Sequence, residues 1–206
     1  MFLTHVKTLA AIGLLTIVCF TQNANTQTGS SKGNSACPDD KTYTGKYRNL
    51  VFGFSIIIPA GLKGYWNSAR CAPDERFGCV CMGDHGRFIP LANEASIEAF
   101  VGYQMEPEWN ASEHEKSEIS SLREQKDIQQ LTVISSRQFR LGRLTGRRFI
   151  VEFVQNNQKV VRDHIIALQK DVEYELILRT TASRYRDDTM QFEKVIASWK
   201  LRPRLG

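Results

Sequence analysis

The sequence has 206 residues, of which 42% are hydrophobic and 24% are charged, and its formal net charge at pH 7 is +5. This length supplies the core of one domain, and the sequence contains neither an internal repeat nor a long block of like charge. A repeat array and a set of several large domains are therefore excluded.

The first 24 residues have the pattern of a signal peptide. A lightly basic start at 1–7 precedes an almost unbroken apolar run at 9–20, and a polar segment that contains Ala24 follows. The apolar run is too short to cross a bilayer comfortably, so an uncleaved anchor is the less favoured alternative. We predict cleavage after Ala24 and a secreted or periplasmic protein, with no membrane span once the signal is removed.

Residues 25–36 are predicted to form a disordered linker. They are mostly Ser, Thr, Asn, Gln and Gly, and this composition offers too little apolar surface to offset the entropy lost on ordering. Residues 37–206 then form one predicted α/β domain, with a cysteine-rich insert at 71–85.

Four cysteines remain after removal of the signal peptide: Cys37, Cys71, Cys79 and Cys81. An even number of cysteines in an exported protein favours two disulfides. A bond between Cys79 and Cys81 would close a small strained ring, so Cys37 and Cys71 are each expected to pair with one of that couple, in either combination. The alternative is a zinc or copper site that uses Cys79, Cys81 and His85, but the spacing matches no standard zinc finger. We therefore expect no metal and no cofactor.

Three stretches in the first half of the domain predict strands. The apolar run at 52–59 is stopped by Pro59, which cannot continue a strand ladder. Residues 86–91 and 96–103 follow, and the second of these alternates apolar and other side chains with the period of a strand. Together with the later strands, they predict a sheet of at least five or six strands.

A polar helix is predicted over residues 112–127. Ser112 and Glu115 have the spacing of a capping box, which marks the start of a helix. The obvious apolar pair in this helix is Ile119 and Leu122, so we expect most of its surface to be exposed.

A further strand is predicted at 131–139. A cluster of five arginines with no intervening acid starts in this strand and continues beyond it. They are Arg137, Arg140, Arg143, Arg147 and Arg148. The guanidinium group suits carboxylate, phosphate or sulfate, so these arginines predict an anionic ligand or an acidic partner protein. The alternative is that they pair with Glu152, Glu173 and Glu175, or stay solvated. Nucleic acid is disfavoured, because export is predicted and no nucleic-acid motif accompanies the arginines.

Three strand-like runs joined by two tight turns follow. The runs are residues 147–155, 159–168 and 172–179. The runs are separated by two residue pairs, Asn156 with Asn157 and Lys170 with Asp171. Asn and Asp tolerate the positive φ that two-residue hairpin turns require. Both connections are therefore predicted to be hairpins.

The predicted hairpins fix which residues face each other. With two-residue turns, Phe153 pairs with Val160, and Ile165 pairs with Leu176. Apolar residues then lie on both faces of the sheet, which predicts that both faces are covered.

The last element is predicted to be an amphipathic helix that begins after Ser183. Phe192, Val195, Ile196 and Trp199 fall on one stripe at helical spacing. Full burial of such side chains contributes about 1.5–3 kcal/mol each, so this helix is predicted to dock against the sheet.

These elements resemble the PsbP-like family, the α/β/α sandwiches that include the extrinsic oxygen-evolving protein of photosystem II. The resemblance is carried by an aromatic-rich lead, by the run Gly-Phe-Ser-Ile-Ile-Ile-Pro at 53–59, by the late meander, and by a closing helix that ends Ser-Trp at 198–199. It covers about residues 47–201, with a poor match at 65–87. It implies an α+β fold, an α/β/α sandwich with a largely antiparallel meander sheet. It also implies a partner-binding or accessory role without catalysis, although no family binding residue maps onto this chain.

The sequence contains no nucleophile elbow, P-loop, dinucleotide-binding glycine pattern, metalloprotease helix or closely spaced carboxylate pair. We therefore predict a non-catalytic binding or accessory module that contacts an anionic partner through its arginines. The alternative is a hydrolase or metal-dependent enzyme centred on Cys79, Cys81 and His85. A deep cleft that joins His85 or His164 to a carboxylate would favour the enzyme, and a shallow surface would favour binding.

Overall fold

The computed structural model describes residues 42–65, 77–83, 95–104, 106 and 108–202. Every described residue belongs to one compact unit. Several predictions fall outside the described residues: the signal peptide, the linker, Cys37, Cys71, His85 and the strand at 86–91.

The described chain forms two helices and eleven strands. In chain order they are β1 (Thr42–Tyr43), β2 (Lys46–Arg48), β3 (Phe54–Ile57), β4 (Lys63–Tyr65), β5 (Phe77–Gly83), β6 (Ser96–Tyr103), α1 (Ala111–Glu124), β7 (Ile128–Leu141), β8 (Leu144–Gln155), β9 (Gln158–Gln169), β10 (Val172–Thr181), α2 (Tyr185–Ser198) and β11 (Lys200–Leu201). The larger sheet has the order β1-β4-β5-β6-β10-β9-β8-β7, and the smaller has the order β11-β3-β2. All neighbouring strands in both sheets are antiparallel.

The two predicted hairpins are confirmed. Asn156 and Asn157 have φ angles of 51° and 61°, and Lys170 has a φ of 56°, as two-residue turns require. The resulting register pairs Phe153 with Val160, and the β9–β10 register pairs Ile165 with Leu176.

Both faces of the larger sheet are covered, as predicted. On one face, α2 and the smaller sheet enclose the main core, in which the rings of Phe54 and Trp199 stack 4.9 Å apart. Phe192 and Val195 of α2 are fully buried in this core, and Ile196 packs against its margin. On the other face, Ile119 and Leu122 of α1 pack onto β8 and β9 in a second apolar cluster. The α/β/α sandwich and the docked C-terminal helix are therefore confirmed.

The predicted N-cap of the first helix, Ser112, was wrong by two residues. Asn110 caps α1, because its side-chain oxygen accepts hydrogen bonds from the backbone N–H groups of Ser112 and Glu113, at 2.9 Å and 3.2 Å. The Glu113 side chain accepts from the Asn110 N–H at 2.7 Å, which completes the capping box. Glu115, predicted to take that role, is buried instead.

The predicted cap of the second helix was also wrong. Arg184 occupies the N-cap position of α2 and makes no side-chain capping bond. The Ser183 hydroxyl shares a hydrogen bond of 3.1 Å with the Thr181 hydroxyl, so it is not directed at the helix.

Candidate functional site

The structure divides the five predicted arginines into two groups. Arg137 and Arg140 lie on β7, and Arg143 lies in the turn that joins β7 to β8; all three are exposed. Arg147 and Arg148 lie on β8 and are partly and largely buried, respectively. The arginines are therefore close in sequence but occupy different environments.

Arg148 is part of the core. Its Nε and Nη2 donate to the two carboxylate oxygens of Asp163 at 2.8 Å and 2.7 Å, and Nη2 also lies 2.7 Å from Glu193. Its guanidinium lies 5.5 Å from the Phe139 ring centroid and 5.7 Å from that of Phe192. Burial opposes the charge, but the hydrogen bonds and charges of Asp163 and Glu193 outweigh burial and raise the pKa of Arg148. This arginine therefore links β8 to β9 through a buried ion pair and also contacts α2.

Arg147 is also committed to partners inside the protein. Its Nε donates to Glu115 of α1 at 2.6 Å, and its Nη2 donates to the Ser136 hydroxyl. Arg147 thereby ties α1 to the sheet, which gives Glu115 a structural reason to be buried.

The alternative expected for the arginines, pairing with three acids or solvation, was wrong in its first part, since those acids have other partners, whereas three of the arginines are solvent-exposed. Glu152 pairs with Lys159, Glu173 pairs with His114, and Glu175 pairs with His164. Within the part of the chain that the structure describes, none of the three exposed arginines forms an ion pair. Three guanidinium groups at the β7–β8 hairpin are thus directed to solvent.

Two shallow grooves adjoin this hairpin. One has a volume of about 490 Å³ and is lined by Gln138, Phe139, Arg140 and Thr145. The other has a volume of about 390 Å³ and extends from Gln138 and Thr145 to the first residues of α1. Because both are open and share lining residues, they form one broad surface beside Arg140 rather than a deep cleft.

A buried group of ionisable side chains lies between α1 and the sheet. His164 is fully buried, and its Nε2 lies 2.6 Å from a carboxylate oxygen of Glu175. Burial, reinforced by the charge of Arg162, lowers the pKa of His164 to about 3, so the imidazole is neutral. Burial also raises the pKa of Glu175. His164 therefore does meet a carboxylate, but in the protein interior and not in a cleft.

A second histidine extends this buried group. His114 of α1 shares hydrogen bonds with Gln104 at 3.2 Å and, through Nδ1, with Glu173 at 3.1 Å. Burial is the main cause that raises the pKa of Glu173 to about 8, and the charges of Glu175 and Glu118 add to it. Burial also lowers the pKa of His114. Uncharged forms of these side chains suit the interface beneath α1.

This buried group is not apparent from the sequence. Glu173 and Glu175 alternate with apolar residues, a pattern typical of a strand with one solvated face. The many polar residues of α1 are likewise typical of a solvated helix. The signal for this contact is that His114 and Glu115 lie on the same side of the helix as the apolar Ile119.

Cys79 and Cys81 lie on β5, opposite Phe100 and Glu98 of β6. Their proposed disulfides with Cys37 and Cys71 remain a prediction, since both partners lie outside the described residues. Among the described residues there is no group of three or more His, Cys, Asp or Glu side chains placed to hold a metal ion.

No family model matches the chain, and no curated protein matches it in sequence. Solved structures match it in fold. Cyanobacterial PsbP (CyanoP) from Synechocystis sp. PCC 6803 has a TM-score of 0.52 at 11% identity, covering 84% of this chain and 98% of that chain. The fold is similar to that of PsbP. This likeness confirms the resemblance stated from the sequence.

Two further structures share the fold. A protein of unknown function from Pseudomonas aeruginosa has a TM-score of 0.51 at 8% identity, covering 72% of this chain and 92% of that chain. LpqN, involved in cell envelope biogenesis of Mycobacterium tuberculosis, has a TM-score of 0.50 at 8% identity, covering 73% of this chain and 83% of that chain. At such low identities these structures inform on the fold.

Neither helix in the described part of the chain has the length and apolar character needed to cross a membrane.

Proposed function

We propose that this protein is a secreted or periplasmic, non-catalytic binding module that holds an anionic partner against Arg137, Arg140 and Arg143. The observation that carries the proposal is that these three exposed guanidinium groups lie within one hairpin and have no acidic partner among the described residues. A cluster of unpaired arginines is suited to carboxylate, phosphate or sulfate groups. We call Arg137, Arg140 and Arg143 the basic hairpin.

The hairpin has a firm attachment to the core, which suits a binding surface. Leu141 and Leu144, the residues on either side of the turn, are both buried in the main core. Gly142 has a φ of 60°, and a Cβ at this position would lie 3.5 Å from the Trp199 ring. The arginines are therefore presented by an anchored element and lose little backbone freedom when a partner binds.

The fold neighbours are compatible with this role. LpqN is involved in cell envelope biogenesis, and the PsbP-like resemblance implies accessory proteins without catalysis. A location outside the cytoplasm also agrees with the signal-peptide pattern at residues 1–24. The alternative enzyme centred on Cys79, Cys81 and His85 rests on side chains that the structure does not describe.

The test is recovery of partners from the extracytoplasmic fraction of the source cells. The variant carries Arg137→Gln, Arg140→Gln and Arg143→Gln. The matched control carries Lys116→Gln, Arg123→Gln and Lys126→Gln, which removes the same charge from exposed positions on or just after α1. We expect the hairpin variant to lose the partners that the wild type and the control retain. Equal recovery by all three proteins would exclude the basic hairpin as the binding surface.

Ionic strength provides a second readout of the same experiment. An interaction held by exposed charges weakens as salt rises, because the screening length falls to about 8 Å at 0.15 M. We expect recovery by the wild type to fall steeply between low and physiological salt. Recovery that does not change with salt would show that apolar contacts elsewhere hold the partner.

A further inference from the structure

We infer that the partner of the basic hairpin is an extended acidic segment of another protein, which adds to the larger sheet as a strand beside β7. This inference rests on the proposed function and specifies the form in which the anionic partner is held.

β7 offers an open edge for such a strand. It is the last strand in the order of the larger sheet, and among the described strands it pairs with β8 alone. Its outer side therefore presents backbone N–H and C=O groups that an added strand can pair with. Register shifts interrupt the pairing with β8 before Ser135, whereas the pairing over residues 136–141 is continuous. Because bulges disrupt a strand edge, the regular part is the part suited to an added strand, and it carries Arg137 and Arg140.

Arg137 and Arg140 lie on opposite faces of the sheet. They are three residues apart in a continuously paired segment, and successive side chains of a strand alternate between faces. Arg140 shares its face with Gln138, which lines the groove that extends to the first residues of α1. The Arg137 guanidinium lies 5.8 Å from the Phe139 ring, which packs against the main core on the α2 side.

This arrangement favours a partner that approaches the edge rather than either face. A flat partner surface laid on one face of the sheet reaches Arg137 or Arg140 but not both. An added strand places its own side chains alternately on both faces, so acids on it can meet both arginines. Six paired residues extend about 20 Å at the rise of a β-strand, which a short segment of a partner can match. Arg143 in the turn then meets acids just beyond the paired segment.

The positive charge of the β7 edge favours an acidic strand over a second copy of this chain. A second copy of this chain paired through the same edge would bring its arginines against those of the first copy, and like charges on facing strands are unfavourable. An acidic segment turns the same charges into attractive pairs. We therefore assign the edge to an acidic partner and not to self-association.

The test uses three synthetic peptides of identical side chains and charge. The parent peptide alternates Thr and Val with Glu residues placed three apart, so that acids point to both faces. The second and third peptides carry N-methyl groups on alternate residues along one edge or along the other, which removes the N–H donors of that edge only. Binding to the full-length protein is measured by fluorescence anisotropy at low salt, for the wild type, for the hairpin variant and for the matched control.

Strand addition predicts that methylation of one edge weakens binding about tenfold or more, while methylation of the other edge has little effect. If both methylated peptides bind like the parent and binding still needs the three arginines, the strand inference fails and the proposed function stands. If the parent peptide binds the hairpin variant as well as the wild type, the peptide does not report on the basic hairpin, and the strand inference is overturned. The recovery experiment decides the proposed function independently.

Discussion

Replacement of Arg148 by methionine tests whether this arginine is structural, in contrast to the exposed arginines of the basic hairpin. Asp163 is fully buried and accepts two hydrogen bonds from Arg148 and one, at 3.0 Å, from the Tyr185 hydroxyl. Methionine fills part of the space between Phe139 and Phe192 but leaves the Asp163 charge without a cation.

Removal of one partner from a buried ion pair costs about 3–5 kcal/mol, because the remaining charge stays desolvated. We expect a loss near this range for Arg148→Met. The contact of Arg148 with Glu193 adds little, because Glu193 is about half exposed and can be solvated after the change. For a domain of this size, the loss corresponds to a fall in Tm of roughly 6–20 °C.

The free energy of unfolding is measured by urea titration at neutral pH, with a check that the m-value is unchanged. Arg140→Met is the matched control, because it removes an exposed arginine from the neighbouring strand, β7. We expect it to change the free energy of unfolding by no more than about 0.5 kcal/mol. The double variant Arg148→Met with Asp163→Asn also removes the unpaired carboxylate charge. It should therefore lose less stability than Arg148→Met alone. A loss below about 1 kcal/mol for Arg148→Met would refute the structural role assigned to this arginine.

Three further changes test local features by the same urea titration. Gly146→Ala should destabilise by about 1–3 kcal/mol, because its Cβ would collide with the Ile166 carbonyl oxygen and lie 2.7 Å from the Ala167 Cα. Asn110→Ala should cost about 1 kcal/mol, since it removes the cap of α1. The pKa of Glu173 is about 8 in the folded protein and 4.5 ordinarily, so the stability that its retained proton contributes is complete below about pH 4.5 and is lost as the pH rises through about 8. Glu173→Gln should therefore flatten the fall in stability across that range.

Each of these predictions has a contradicting result. A Gly146→Ala variant with the same free energy of unfolding as the wild type would show that β8 and β9 do not approach as closely as the structure indicates. An Asn110→Ala variant as stable as the wild type would remove the capping role of the side chain. If Glu173→Gln and the exposed-site control Glu124→Gln gave the same pH profile as the wild type, the proton of Glu173 would not be linked to folding.

The sequence predicted the meander well, because its determinants are local. Asn156 and Asn157 adopt the left-handed conformation that their side chains tolerate, and this fixes the β8–β9 register within one turn. The apolar stripe of α2 likewise has a period that a single sheet face can bury. The prediction failed where two local signals competed. The spacing of Ser112 and Glu115 predicted a helix cap at Ser112, whereas the cap is Asn110.

The division of the five arginines was not predictable from their spacing. Arg148 is buried because the strand register brings Asp163 beside it and the docking of α2 brings Glu193, and both depend on contacts distant in sequence. The burial of Glu173 was not predictable for a related reason, because the pattern of one strand does not reveal which helix covers it. Burial of charged groups is set by tertiary pairing, which a linear pattern does not contain.

Site-specific photo-crosslinking tests the central claim, contact between the basic hairpin and an acidic partner, most directly. A photoreactive residue replaces Gln138, which is exposed between Arg137 and Arg140 and leaves all three arginines intact. The matched control places it at Gln129, an exposed position about 30 Å along the same strand at the usual rise per residue. After illumination with the extracytoplasmic fraction, mass spectrometry identifies the cross-linked segments. We predict that Gln138 gives cross-links to segments rich in Asp and Glu and that Gln129 does not; equal yields from both positions, or cross-links to segments without acids, would contradict the account.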